Sequence, residues 1–275
     1  MNLTNDHRKR LVVFYFACFA INYSWLFFAG NLLREFNPVF IHNRLDLTAN
    51  FVWFTNIQNA VLHDNFLCHL LDVLFIALPF LLFLTVYKNF KAQYFLAVIT
   101  ALYNLVYAVV ISSVTLISIE GFTGWILLPL MFAFRGERSF YFALQCMRYF
   151  FIIMFVSAGL WKIRAGGLFN QEQMSAILVQ QHAGYLVSEP QYWFGKLIRY
   201  LIIHKGISYF IYLLAAVSEL IFAVGFFTKR FDRYLIVIFL LFVALDYFLM
   251  GINYFMWAAF VGCLWYSKLK IAHEE

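Results

Sequence analysis

Five ionisable residues interrupt long apolar stretches of this sequence, and they are the residues with the clearest capacity for chemistry. They are Asp72, Arg148, Lys162, Glu219 and Asp246. An ionisable side chain at membrane depth costs at least about 2.5 kcal/mol on insertion scales, so each one requires a partner or a function. Carboxylates and amines are also common proton donors and acceptors in catalysis. The pattern therefore predicts an enclosed polar pocket with acid/base character.

The depth of these residues follows from counting along each predicted helix from its outer end. Lys162 stands at the mouth, Asp246 lies about 6 Å inside and Asp72 about 10 Å inside, so we expect these three to meet near the outer surface. Glu219, at about 18 Å, lies nearer the middle, and Arg148 lies nearer the inner face.

A histidine adds to the acid/base groups at this outer end. His69 lies one helical turn before Asp72 and is expected on the same helix face. His63 and Cys68 precede them, but the sequence contains no HxxxH or paired HxxE spacing here. No metal site is therefore predicted.

Two structural interpretations compete with a chemical one. Glu219 and Arg148 could neutralise each other across two helices and simply hold the bundle together. Lys162, at a helix end, could extend its ammonium to the water interface. The residue pattern leaves these alternatives open.

The elements that carry these residues are predicted to cross a membrane. Of the 275 residues, 64% are hydrophobic and 12% are charged, whereas soluble domains carry roughly 25% charged residues. Apolar runs of about 20 residues, the length needed to span a bilayer, occur six times: at 11–30, 65–87, 93–116, 140–162, 207–227 and 232–250. With two shorter runs, 123–134 and 253–267, we predict an all-α bundle of about eight transmembrane helices, forming a single domain over 1–275.

Basic residues predict how this bundle is oriented. They concentrate at one set of helix ends, from Arg8, Lys9 and Arg10 before the first span to Lys268 and Lys270 after the last. Such clusters mark cytoplasmic ends, so we expect both termini in the cytoplasm, most simply of a bacterial inner membrane. The net charge of +6 is scattered rather than gathered in a stripe, so no nucleic-acid partner is predicted.

Two outer segments, residues 31–64 and 163–206, are too long to be simple turns. The second contains apolar residues near helical spacing: Met174, Ile177, Leu178, Tyr185, Trp193, Leu197, Tyr200 and Leu201. We therefore predict amphipathic helices in 163–206, lying along the outer membrane surface or closing the mouth of the bundle.

Two sequence elements carry a family resemblance. Residues 155–163 read Phe-Val-Ser-Ala-Gly-Leu-Trp-Lys-Ile and are followed by Arg-Ala-Gly-Gly; the second element, Ser218-Glu219-Leu220, leads into Gly225, the turn Thr228-Lys229-Arg230, and Arg233. Over residues 140–260 their order and spacing resemble the HTTM superfamily, which includes the membrane part of vitamin K-dependent gamma-carboxylases. They are also similar to DoxX-like, quinone-linked membrane proteins.

The resemblance implies that Lys162 acts as a base toward a reduced quinone. Removing water from an amine favours its neutral form, which can accept a proton from a phenol. The neighbouring apolar side chains expected to exclude water are Phe155, Leu160, Trp161 and Leu168. With Lys162 we group Glu219 and Asp246 as candidate catalytic residues. The candidate quinone-binding residues are His69, Asp72, Arg148 and Trp161.

The sequence also departs from that family. Only about eight residues follow the last predicted span, whereas the carboxylases carry a large luminal domain, so peptide carboxylation is not expected. Asp246 stands in the stretch where longer HTTM proteins have a histidine. Three functions are consistent with these observations: an enzyme or binding protein for a quinone or isoprenoid lipid, a non-catalytic subunit that docks a partner protein through 163–206, and a transporter or lipid carrier.

Overall fold

A computed structural model describes residues 3–35, 47–57, 64–114, 119–188 and 191–268. These residues are helical or irregular, without a strand, which confirms the all-α class for this part of the chain. The α-helices are α1 Leu3–Phe28, α2 Leu47–Thr55, α3 Asn65–Tyr87, α4 Gln93–Val114, α5 Thr123–Leu130, α6 Glu137–Arg164, α7 Gln173–Ser188, α8 Trp193–Ile203, α9 Lys205–Ile221, α10 Val224–Phe227, α11 Asp232–Met250 and α12 Val261–Trp265. Short 3-10 helices occupy Leu33–Glu35, Ile119–Phe122, Met131–Ala133, Gly167–Phe169 and Phe255–Phe260.

Within the described residues, six helical segments are long and apolar enough to cross a membrane: Asp6–Glu35, Asn65–Tyr87, Gln93–Ser113, Glu137–Arg164, Lys205–Phe227 and Asp232–Met250. They coincide with the six long runs predicted from the sequence, so the chain is an all-α membrane protein. The two shorter predicted runs are also helical, within Ile119–Ala133 and Phe255–Trp265. That they cross the membrane stays a prediction.

Many large apolar side chains on these segments point away from the protein interior. Phe95 and Phe142 are each 71% exposed, and Tyr234 is 66% exposed. Such surfaces are unfavourable in water but are solvated by acyl chains in a bilayer.

The described residues form two compact units. Unit 1 contains those within 1–147 and 255–263. Its core is aromatic: the rings of Phe75 and Tyr107 are stacked with centroids 3.9 Å apart, and Phe19 contacts both Phe75 and Trp125 edge-on. Arg8 is buried and donates to the carbonyl oxygen of Phe134, which fixes the connection before α6.

Unit 2 contains the residues within 148–254 and 264–268, and it carries the predicted outer segment. Both predicted helices are present there as α7 and α8. Their inner faces form one apolar cluster with α9 and α11: Met174, Leu178, Ile198, Leu201, Tyr212 and Leu249. Trp193 and Tyr200 are instead 55% and 48% exposed. One face of this helical pair therefore packs on the rest of unit 2, and the other leaves aromatic rings exposed.

Candidate functional site

The candidate site lies in unit 2, where the last turns of α6 pass close to α9. Gly159 stands at the contact, because a Cβ atom added there would lie 2.9 Å from the Leu220 side chain and 3.3 Å from Cβ of Glu219. Small residues allow helix backbones to approach this closely. Lys162, about one turn further along α6, is thereby brought against α9.

Lys162 and Glu219 form an ion pair in which the ammonium Nζ donates to Oε1 at 2.6 Å. The Glu219 side chain is 5% exposed and the Lys162 side chain 24%. The alternative in which Arg148 neutralises Glu219 is therefore wrong. The reason is axial distance: Arg148 precedes Lys162 by fourteen positions, or about 21 Å of helix.

Asp246, from α11, completes the charged group. Its carboxylate interacts electrostatically with both Lys162 and Glu219. One oxygen of each acid, Glu219 Oε2 and Asp246 Oδ2, is buried and accepts no hydrogen bond. Buried polar atoms almost always have a partner, and among the described residues these two are the carboxylate oxygens that are buried without a hydrogen bond.

Aromatic rings lie beside the charged side chains of Lys162, Glu219 and Asp246. The Lys162 Nζ atom lies 5.8 Å from the ring centroids of both Tyr212 and Phe242, within cation–π range. The Phe242 ring in turn contacts Phe155 edge-on and Tyr254 in a tilted arrangement, with centroids 5.6 Å and 6.2 Å apart. The charges therefore lie in an apolar, polarisable environment.

Two of the side chains expected to exclude water from Lys162 do not do so. Trp161 is 63% exposed and its ring lies 5.3 Å from the Arg164 guanidinium, while Leu160 is 54% exposed. Because successive helical residues are rotated by about 100°, neither shares the face of Lys162. The prediction that Trp161 belongs to the Lys162 pocket is wrong, whereas Phe155 is buried beside Phe242.

Arg148 has a separate and fully buried set of partners. Its Nε and Nη2 atoms donate to both oxygens of Asp232 at 2.8 Å and 2.7 Å, and Nη2 also donates to the carbonyl oxygens of Gly225 and Thr228. The Arg148 side chain is 0% exposed and that of Asp232 is 1%. This bidentate arrangement ties α6 to the turn before α11, and a structural role replaces the predicted quinone contact.

Sequence reasoning missed Asp232 because it stands at a helix end among basic residues. The sequence does show Asp232 as an acid between Arg230 and Arg233, and this position was the feature that could have indicated an ion pair. Burial, with the nearby Arg148 guanidinium, lowers the pKa of Lys229 in the same turn, while Asp232 opposes that shift. The basic turn is thus organised around a buried ion pair.

Asp72 belongs to unit 1, where its acceptors are used by local donors. Oδ1 accepts from the Tyr107 hydroxyl at 2.7 Å and from the Leu33 amide at 3.2 Å, and Oδ2 accepts from the Arg34 amide at 3.0 Å. His69 lies three positions before Asp72 on the same helix, but Asp72 is buried whereas His69 is exposed. Asp72 therefore anchors the turn after α1, and His63 lies outside the described residues.

Tyr212 and Phe242 were also missed, although helical spacing contained the signal. Tyr212 precedes Glu219 by seven positions and Phe242 precedes Asp246 by four, so each shares a face with its acid. In an apolar sequence with 35 Phe and 17 Tyr residues, such spacings recur by chance. These two spacings become informative only when the structure shows that Glu219 and Asp246 belong to the same site.

Together, Lys162, Glu219 and Asp246 supply one ammonium, two carboxylates and two acceptors without donors beside aromatic rings. Such a group can hold a flat polar headgroup and can donate or accept a proton. Comparisons with family models, with curated proteins and with solved structures give no match to this chain. The resemblance of residues 140–260 to HTTM and DoxX-like proteins stays a prediction from the sequence.

Proposed function

We propose that this chain is an HTTM- or DoxX-like membrane protein that binds a quinone- or isoprenoid-type lipid at the Lys162 site and exchanges protons with it. The observation that supports this most strongly is the pair of buried acceptors, Glu219 Oε2 and Asp246 Oδ2, beside the Lys162 ammonium. Buried carboxylate oxygens usually accept a hydrogen bond, so a bound group that donates to these two atoms would complete the site.

The chemistry of the residues fits a headgroup of this kind. An ammonium has three donors, and Glu219 accepts from one of them. Lys162 can therefore donate to a ring oxygen, and the two carboxylates can accept from hydroxyl groups. Tyr212 and Phe242 offer faces on which a flat ring packs. When bound, a quinone would supply two ring oxygens that gain protons on reduction.

The proposed membrane arrangement has eight crossings, with both termini in the cytoplasm of a bacterial inner membrane. The two short helical segments within 119–133 and 255–265 would complete the count. Lys162, at the end of α6, would then face the outer leaflet, and α7 and α8 would lie along the outer surface. Exposed Trp193 and Tyr200 support that placement, because Trp and Tyr favour the membrane interface.

The test is whether purified protein retains such a lipid through Lys162. Wild-type protein, Lys162→Met and the control Lys196→Met would be purified in mild detergent and extracted with organic solvent. Quinones and isoprenoid lipids per mole of protein would then be measured by mass spectrometry. Lys196 is an exposed lysine of α8 in the same unit.

We expect retention in wild type and in Lys196→Met. Retention should fall at least about tenfold in Lys162→Met, because a hydrogen bond to a charged group contributes about 1.5–3 kcal/mol. Equal lipid content in Lys162→Met and wild type, with both proteins folded, would rule out the proposal.

A second function is favoured by exposed apolar side chains in 163–206. Phe169, Val187 and Ile203 are 79%, 82% and 73% exposed. Such side chains suit either the membrane interface or a docked partner subunit. Substituting all three by Ser and measuring co-purification in mild detergent tests the second function. A protein that co-purifies with wild type and is lost from the triple variant, with lipid content unchanged, would support the subunit function at this surface.

A further inference from the structure

The charges at the Lys162 site do not balance. Lys162, on α6, contributes one positive charge, while Glu219 on α9 and Asp246 on α11 contribute one negative charge each. Tyr212, also from α9, is neutral. His182, from α7, is held by the Leu249 carbonyl oxygen at 2.7 Å, about one turn beyond Asp246. If both acids are ionised, one negative charge stays uncompensated among the described groups that face Asp246.

An uncompensated charge is unfavourable in this environment. Removing an ion from water without a partner costs several kcal/mol even after relaxation. Carboxylates that share a poorly solvated site therefore retain a proton between them. The Arg148–Asp232 pair in the same unit shows the balanced alternative, with one guanidinium for one carboxylate.

The atoms without partners indicate what would balance the site. Both Glu219 Oε2 and Asp246 Oδ2 are acceptors, so the site lacks a donor rather than an acceptor. A calcium or magnesium ion would need about six or more oxygen ligands, and the described residues contain no group of three or more His, Cys, Asp or Glu side chains that could hold a metal ion. A proton needs only one oxygen and supplies the missing donor.

The two acids are not equivalent as carriers of that proton. Glu219 accepts from the Lys162 ammonium at 2.6 Å, which favours its ionised form. Asp246 interacts electrostatically with Lys162, but the acceptor of the Lys162 hydrogen bond is Glu219 and not Asp246. We infer that the site holds one exchangeable proton, carried by the carboxyl group of Asp246, which makes Asp246 the proton donor and acceptor of the pocket.

The inference goes beyond lipid binding and does not depend on it. If a lipid headgroup does bind, protons are exchanged with Asp246 while Lys162 and Glu219 stay paired as the charged contact. If no lipid binds, the proton is still required by the charge balance. The two proposals can therefore fail separately.

Infrared spectroscopy of the purified protein in lipid nanodiscs tests this directly, through the carbonyl stretch that only a protonated carboxylic acid gives. At neutral pH we expect this band in wild type and its loss in Asp246→Asn. It should persist in Glu172→Gln, where the acid is exposed and bound to Lys205. It should also persist in Asp72→Asn, because the partners of that carboxylate are all donors.

A third variant makes the charge argument quantitative. Lys162→Met removes the one cation that the described residues supply at this site, so both acids should be protonated and the band should grow about twofold. Isotope labelling of aspartate in wild type provides a readout without any change at the site: a heavy-carbon carboxyl label on aspartate should shift the band, and one on glutamate should not. A band that is absent from wild type, that survives in Asp246→Asn or that moves with the glutamate label would overturn the inference.

Discussion

Two ion pairs connect α6 to later parts of unit 2, and they differ in how completely their acceptors are used. In the Arg148–Asp232 pair, both carboxylate oxygens accept from the guanidinium, which also binds two backbone carbonyls. In the Lys162–Glu219 pair, one oxygen accepts from the ammonium and the other has no hydrogen bond, and Asp246 adds a second acid with an unused oxygen. The first pair is closed in the sense that both of its carboxylate oxygens are used, although the buried Nη1 atom of Arg148 has no hydrogen bond. The second pair and Asp246 leave two carboxylate oxygens that can still accept one.

The difference lies in the shape of the cations as much as in their charge. A guanidinium presents its donors in a rigid planar fork that matches a carboxylate in two places. An ammonium is a point charge with rotatable donors, so it can take a further partner while it keeps the first. Lysine therefore suits a site that binds an additional group, whereas arginine suits a permanent connection between helices.

Removing the closed pair should have the largest effect on stability. Arg148→Met leaves the Asp232 carboxylate buried without its cation, and breaking such a pair costs about 3–5 kcal/mol. Thermal unfolding followed by size-exclusion chromatography in detergent should show a large loss of folded protein. The exposed Arg230→Met is the control and should behave like wild type.

The double variant Arg148→Met, Asp232→Leu separates pairing from packing. Replacing both charges by apolar groups removes the uncompensated carboxylate, so much of the lost stability should return. If Arg148→Met melts like wild type, the pair does not hold the helices together and the comparison fails.

A smaller effect on stability is expected at Asp72, a buried acid of unit 1. Both of its carboxylate oxygens accept hydrogen bonds, as those of Asp232 do. Tyr107→Phe removes one of three hydrogen bonds to its carboxylate and keeps the ring that stacks on Phe75. Hydrogen bonds to charged groups contribute about 1.5–3 kcal/mol. The matched control is Tyr103→Phe, which removes a bond to the neutral Leu71 carbonyl and should cost less. Equal melting temperatures for the two variants would mean that Asp72 does not depend on Tyr107.

The long helices were predictable because their signal is strong and local. A bilayer imposes a minimum length of apolar residues, and the runs at 65–87 and 232–250 agree with α3 and α11 to the residue. The helices of the outer segment were also predictable, from apolar residues near helical spacing. In both cases the information lies within one stretch of chain.

The pairing of charges was not predictable in the same way. Depth counted along separate helices placed Glu219 about 18 Å inside the outer end, where Lys162 stands, but pairing depends on which helix faces meet. That depends on Gly159, whose close contact with α9 sets Lys162 against Glu219, and on the turn at Gly225 and Thr228 that receives Arg148. Such contacts join residues far apart in sequence, so no local pattern contains them.

A bulky residue at Gly159 should open the Lys162–Glu219 pair while leaving the closed pair intact. Gly159→Leu forces α9 away from α6, with a cost of about 1–3 kcal/mol for overpacking. We expect a moderate fall in melting temperature and a loss of any lipid retained through Lys162. Gly184→Leu, at a helical glycine of α7 with nothing within 4 Å of an added Cβ, is the control. Unchanged lipid content in a destabilised Gly159→Leu protein would show that the helix contact does not position the site.

The smallest effect on stability is expected at the exposed ion pair of Lys205 and Glu172, whose N–O distance is close to that of Lys162 and Glu219. Lys205 and Glu172 are 2.5 Å apart, but their side chains are 55% and 64% exposed. The hydrogen bond from Lys205 and its charge lower the pKa of Glu172. Any contribution of this pair to stability is therefore complete above the ordinary pKa of glutamate and is lost as the pH falls through the lowered value.

Because water and salt screen exposed charges, Glu172→Gln should leave the melting temperature unchanged at neutral pH, at low and at high salt. Glu219→Gln removes the charge from a pair at nearly the same distance, 2.6 Å, and so replaces a hydrogen bond to a charged carboxylate inside the protein by one to a neutral amide. Its melting temperature should fall. If the two variants lose equal stability, burial does not decide the strength of these pairs, and the distinction between the interior site and an ordinary surface ion pair is lost.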